Sequence, residues 1–215
     1  LHLSIRRQRQ MCIRDRIETL ADLMKRLGDV PLQRVRYHPA PGTASVQDLL
    51  DLRSGETRLC ELVDGVIVEK AMGYLESALA YHIGIIIGNF VIPRQLGIVA
   101  GADGMMRLFP HIVRMPDVSF VKLDRLPHGV AGMSAPLMAP NLAIEVLSKG
   151  NTRQEMRFKR KEYFAAGVEL VWEVSPRIRV VNVYKSPKSR ETLRIGDVLS
   201  GEPVLPGFSV PLSDL

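Results

Sequence analysis

Residues 142–148, LAIEVLS, form an apolar run with a single carboxylate set into it. A strand that reads as a near-continuous apolar run is buried on both faces, so the chain has to build a sheet with cover on either side of it. Glu145 is the anomaly, because Glu is almost never fully buried unless it is paired. A carboxylate in that place must be paired, protonated or bound to a metal.

The flanking sequence supplies the cover. Thr152 reads as an N-cap and Glu155, three residues on, completes a capping box, opening a helix that runs to Gly167. Strands over 170–174 and 180–185 follow, with a turn at Ser175-Pro176. Upstream, Leu75, Leu79, His82, Ile83, Ile86 and Phe90 recur at helical spacing over 74–91, and Pro93 stops the helix. Short strands are expected at 97–100, 105–108 and 117–122, and a Gly/Pro-rich loop at 127–140. From residue 74 the order is helix, strands, helix, strand, strand. This predicts a mixed sheet with helices against it, an α/β or α+β core rather than a repeating βαβ barrel. The tail, VLPGFSVPLSDL, reads as an irregular, edge-like closing segment.

The first seventy residues add less. A stripe of Ile17, Leu20, Leu23, Met24 and Leu27 predicts a helix over 17–27, closed by Gly28 as its C-cap. A Pro-rich connector leads to a short helix at 46–52, capped by Thr43 or Ser45. Segments 58–63 and 66–70, joined by Asp64-Gly65, carry the strongest hairpin signal in the chain. This helix and hairpin are too small to fold alone. They are expected as an N-terminal extension, 17–72, packing on a core of 73–215.

The chain of 215 residues, 46% hydrophobic and 24% charged, suits one globular domain with a real core. Its net charge of +6 suggests a nucleic-acid binder until the charge is located. The opening, LHLSIRRQRQMCIRDR, holds five arginines against Asp15, which accounts for +4 and leaves +2 for the other 199 residues. A basic nucleic-acid arm is one explanation. The other is that RRQRQMCIRD resembles the in-frame translation of a transposon-based sequencing adapter, so that residues 1–16 are expected to be a scar outside the folded domain. The biological chain then starts near Ile17. Two cysteines, Cys12 and Cys60, make neither a disulfide framework nor a zinc spacing, which suits a cytoplasmic protein. No stretch reads as a membrane span, since the apolar segment 79–92 is short and interrupted by His82, Gly84, Gly88 and Asn89, where about 20 apolar residues are needed.

Phosphate-binding glycine loops, GxSxG elbows, HExxH and dinucleotide fingerprints are all missing. What remains is a set of ionisable residues in apolar contexts. Asp117 follows Pro116 and opens the strand DVSFV, as a ligand or as a turn residue. Glu76 shares a helix face with Leu79, Ala80, Ile83 and Ile87. It either points to the sheet or suits the helix dipole. On the helix after Thr152, positions 156, 159, 163 and 166 form one stripe, in which Lys159 takes a core place beside Met156, Tyr163 and Ala166. It is a site residue or a snorkelling side chain with a buried stem. Three carboxylates and a lysine meeting at one sheet edge would suit Mg²⁺ or Mn²⁺ and phosphodiester chemistry.

RMPDVSFV, LAIEVLS, TRQEMRFKRKEYFAAGVELVWEVSP and VVNVYKSP resemble the Uma2 (DUF820) family, as do CELVDGVIVEKAMGYLESALA upstream and LPGFSVPLSDL at the end. The resemblance covers nearly everything from residue 18 onward. It implies a restriction-endonuclease-like PD-(D/E)XK core, a divalent metal (Mg²⁺ or Mn²⁺) and cleavage of DNA. Asp117 matches the motif's Asp and Glu145 its (D/E), with Glu76 as the acidic position of the first core helix. All three are expected metal ligands. The motif's lysine place holds Leu147. Lys159 matches the lysine that migrates to the following helix in some members, and is expected to orient the attacking water or neutralise the phosphate. Tyr163 would support the site. His82 is a candidate supporting residue, although a histidine so placed is more often a satisfied core residue than a ligand. Cutting both strands would suit a homodimer. The alternatives are a non-catalytic descendant that binds DNA or a protein partner, and an enzyme of the same fold acting on RNA or another phosphodiester.

Overall fold

The apolar run 142–146 is an interior strand of a six-stranded sheet. The computed structural model describes residues 18–55, 58–126, 132 and 134–215. The expectations for residues 1–16 and for Ile17 lie outside these residues, as does most of the loop at 127–133. Among the described residues the α-helices are α1 (Leu20–Leu27), α2 (Val46–Gly55), α3 (Tyr74–Val91) and α4 (Arg153–Ala165). The strands are β1 (Cys60–Val63), β2 (Val66–Glu69), β3 (Gly97–Gly101), β4 (Met106–Phe109), β5 (Ile112–Arg114), β6 (Val118–Lys122), β7 (Leu142–Val146), β8 (Leu170–Ser175), β9 (Val180–Tyr184), β10 (Glu191–Arg194), β11 (Val198–Ser200) and β12 (Ser209–Pro211).

The central sheet runs β10-β9-β8-β7-β6-β3. Only β7 and β8 pair in parallel, because α4 carries the chain back across the sheet between them. Along β7 the side chains alternate between two covers. Leu142, Ile144 and Val146 pack with Ala80, Ile83, Ile87 and Val91 of α3. Ala143 lies with Tyr163 and Val168 on the α4 side, and Glu145 faces the same way. Burial on both faces therefore follows from one helix on each side, as the apolar run requires.

A second sheet, β2-β1-β5-β4, stands on the α4 side. Its hairpin turns on Asp64 and Gly65, with φ of 49° and 79°, the left-handed pair that a two-residue turn of this kind demands. The hairpin pairs through β1 with β5, so a division at residue 72 cuts through a sheet. β5, β10, β11 and β12 lie in stretches for which no strand is expected from the sequence. They are three or four residues long, too short to show a period.

Local signals place most boundaries. Thr152 and Glu155 form the capping box of α4. α1 begins at Leu20, later than its apolar stripe suggests, because Thr19 and Asp22 form a second capping box. Gly28, at φ 80°, ends α1 and abuts the start of α4, where a Cβ would lie 2.5 Å from the Glu155 backbone nitrogen. Length and composition would let α3 cross a membrane, at 18 residues and mean hydropathy 1.2. This corrects the expectation above, which took the apolar segment to begin at residue 79. In the fold, the apolar face of α3 covers the sheet.

Candidate active site

β6 and β7 bring two carboxylates side by side. Val118 pairs with Ile144, and continuing that register sets Asp117 directly opposite Glu145 on the face toward α4. Both are buried. The Val146 N–H donates to Asp117 Oδ2 at 2.7 Å, which fixes the plane of that carboxylate. Its other oxygen, Oδ1, accepts from Lys70 Nζ at 2.7 Å.

Glu145 is held from α4. Lys159 Nζ donates to Oε1 and Oε2, each at 3.1 Å, and the Tyr163 hydroxyl donates to Oε1 at 2.5 Å. Residues four apart on a helix share a face, which is why both reach one carboxylate. Lys159 also donates to Glu61 Oε1 at 3.0 Å. Its three N–H donors therefore meet three carboxylate oxygens, and the side chain is only 2% exposed. Glu61 takes two further donors, Arg114 at 2.8 Å and the Met115 N–H at 3.1 Å. Arg114 in turn donates to Glu162 at 2.7 Å.

These ion pairs join four carboxylates (Glu61, Asp117, Glu145, Glu162) to three cations (Lys70, Arg114, Lys159). One negative charge is in excess, and the carboxylate on which it is least favoured is Glu145. Burial pushes its carboxyl up to about 7, with Lys159 pulling it down and Asp117 and Glu61 adding to the rise. Glu61 goes the other way: burial would raise it, but Lys159 and Arg114 together hold it well below the usual carboxylate range. Burial disfavours the charged Lys159, yet Glu145 and Glu61 outweigh that and hold its pKa above the ordinary lysine value. Burial, then the charges of Glu145 and Glu61, drive the Tyr163 phenol well above its ordinary value, so it acts as a donor.

Asp117, Glu145, Lys159 and Tyr163 thus belong to one buried network. Glu76 and His82 do not join it. Glu76 is buried in the first turn of α3, with Oε2 folded back to within 2.4 Å of where a Cβ on Gly73 would stand. That placement suits the helix dipole. His82 lies on the exposed side of α3, with Nε2 2.8 Å from the Asp214 carbonyl oxygen; this corrects its assignment as a supporting residue. Among the described residues no three of His, Cys, Asp and Glu come together closely enough to hold a metal. The expected ligand trio of Asp117, Glu145 and Glu76 is therefore not assembled.

Glu61, Lys70 and Arg114 are absent from the candidates read from the sequence. Glu61 carried the same signal as Glu145, a carboxylate inside the apolar strand CELV. Lys70 and Arg114 carried none, since each stands at the end of a short strand where a surface cation is ordinary.

The donor set still suits a hard divalent ion, which is commonly held by one or two carboxylates with waters and phosphate completing the shell. Asp117 Oδ1 and the Met115 carbonyl oxygen converge on one point, occupied by the Lys70 ammonium. Asp117 also lines a cleft of about 560 Å³ between α3 and β3, whose walls include Ser77, Tyr81, Gly84 and Ala102.

The Uma2 family model, described as "Putative restriction endonuclease", matches residues 46–213. A solved structure described as a "putative nuclease belonging to DUF820", from Anabaena variabilis ATCC 29413, superposes with a TM-score of 0.69. It is 20% identical, and the alignment covers 79% of this chain and 96% of that one. No curated protein sequence matches the chain.

Proposed function

Because the chain belongs to the Uma2 family, we propose that it hydrolyses DNA phosphodiester bonds with Mg²⁺ or Mn²⁺ at Asp117 and Glu145. The observation that carries this reading is the placement of two buried carboxylates opposite each other on adjacent strands, within one network of ion pairs. A divalent ion there would supply charge stabilisation for the phosphate and a more acidic bound water. Asp117 is oriented by the Val146 N–H on Oδ2, while Oδ1 accepts from Lys70. Lys159 has every donor engaged on Glu61 and Glu145, so it is a positioning residue that fixes Glu145 rather than a group that touches phosphate. Tyr163 holds the same carboxylate from one turn further on.

The test is nicking of supercoiled plasmid by the full chain with Mg²⁺ or Mn²⁺, beside Glu145→Gln and Asp117→Asn. Metal-dependent nicking that falls by about 100-fold or more in both variants is expected, the scale on which removing a group that stabilises transition-state charge acts. Equal nicking by all three proteins, or none by any, overturns the reading. The engagement of both Glu145 oxygens by protein donors favours a second reading, a non-catalytic DNA binder. That reading predicts salt-sensitive DNA retention without nicking, unchanged in Glu145→Gln.

A further inference from the structure

Lys70 ends the β1–β2 hairpin, yet its ammonium lies deep in the site, with the side chain 4% exposed. It is ringed by oxygen: Met115 O at 2.5 Å, Asp117 Oδ1 at 2.7 Å and Ala102 O at 3.4 Å. Two backbone carbonyls and a carboxylate are the ligand types that hold hard cations, and here they surround an organic one. Ala102 and Asp117, which supply two of these oxygens, both line the cleft beside α3. The lysine backbone is tied down independently of its ammonium. Its N–H donates to Leu59 O at 2.8 Å, and the next carbonyl, Ala71 O, accepts from the Ser148 hydroxyl at 3.2 Å. A four-carbon stem with rotatable bonds can therefore leave the seat without moving the hairpin.

We propose that Lys70 is a built-in stand-in cation: its ammonium occupies the divalent-ion seat at Asp117, and metal binding and the Lys70–Asp117 pair exclude each other. The inference rests on the metal-dependent reading above and adds a device to it. Two cations cannot share Asp117 Oδ1 and Met115 O at these distances, so an arriving ion must expel the ammonium. Apparent metal affinity is then lowered by competition, and the metal-free site keeps Asp117 neutralised instead of leaving a bare buried charge.

Two measurements on the full chain test this, neither using activity as the readout. The first is Mn²⁺ binding by titration calorimetry. Lys70→Met, which keeps the stem and removes the charge, should bind Mn²⁺ at least about tenfold more tightly than the parent. The Lys70→Met/Asp117→Asn double variant should lose that gain. Equal or weaker binding by folded Lys70→Met overturns the inference. The second needs no variant: acetylation of Lys70 in the parent protein, followed by mass spectrometry with and without saturating Mg²⁺. Lys70 should react severalfold faster with the metal, whereas unchanged protection overturns the inference. Tighter Mn²⁺ binding by Lys70→Met without DNA cleavage by either protein removes the nuclease reading and leaves the competition standing. Metal-dependent cleavage with Lys70 still protected does the reverse. Absence of Mn²⁺ binding in parent and variant removes both.

Discussion

Lys159 Nζ stands 3.1 Å from each carboxylate oxygen of Glu145, although the two residues belong to a helix and a strand fourteen positions apart. The second neighbour of Glu145 along the chain is Leu147. Its backbone N–H continues the sheet by donating to Val174 O at 2.7 Å. The cation stands on α4 and its carboxylate partner on β7. It also bridges to Glu61 of the hairpin, so one buried ammonium joins three elements.

Removing that bridge should be costly. Lys159→Met leaves Glu61 and Glu145 buried without their shared cation, and should lower stability by about 3–5 kcal/mol in urea unfolding. Adding Glu145→Gln to Lys159→Met should recover at least about 1 kcal/mol, read as a coupling energy in a double-mutant cycle. Strict additivity would mean that the pair does not hold the site.

The two glutamates that share Lys159 should give opposite pH dependence in metal-free protein. Glu145, raised to about 7 from an ordinary value of 4.5, binds its proton more tightly when folded. Its contribution is full below pH 4.5 and is lost as pH rises through 7. Glu61, held below 4.5, contributes above pH 4.5 and loses that contribution as pH falls through its depressed folded value. Urea midpoints measured across pH 4.5–7 should carry a downward component from Glu145 of at most about 1.4 kcal/mol per pH unit. Glu145→Gln should remove it, and an identical slope in parent and variant would contradict the assignment.

Arg34 anchors the start of α4. Its guanidinium meets Glu155 with two bonds, of 2.9 and 2.7 Å, and also donates to the Glu69 and Gly150 carbonyl oxygens. Arg34→Ala should cost about 3 kcal/mol, since it leaves Glu155 buried and unpaired. Arg34→Lys should recover less than half, because an ammonium cannot reproduce the two-pronged contact. Hydrogen exchange in the first turn of α4 should rise in both variants.

Gly97 opens β3 at the edge of the central sheet, and a Cβ there would sit 2.0 Å from Val121 O and 2.8 Å from the Phe120 ring. Gly97→Ala should destabilise by about 2 kcal/mol through displacement of the edge strand. Gly101→Ala, at the other end of β3, meets nothing closer than 3.9 Å and should stay within about 0.5 kcal/mol of the parent. Thermal unfolding of the pair separates the local clash from a general effect of substitution in β3.

What the sequence determined by itself was local. Periodicity placed α3, capping boxes placed the start of α4, Asp64-Gly65 placed the hairpin turn, and the apolar run at 142–146 required cover on both faces. Glu145 and Lys159 were also legible, because a charge inside an apolar pattern contradicts its surroundings whatever the fold. Only the tertiary structure decided which charges meet. Glu61 and Lys70 come from the hairpin, and Arg114 from a strand too short to announce itself. Each reaches the site through pairing or packing between distant segments, as in the contact of Lys159 with Glu61. Glu76, equally conspicuous in sequence, stays at the helix end. Coulomb attraction acts through distance in space, and no spacing along the chain specifies that Lys159 will meet Glu61, ninety-eight positions away.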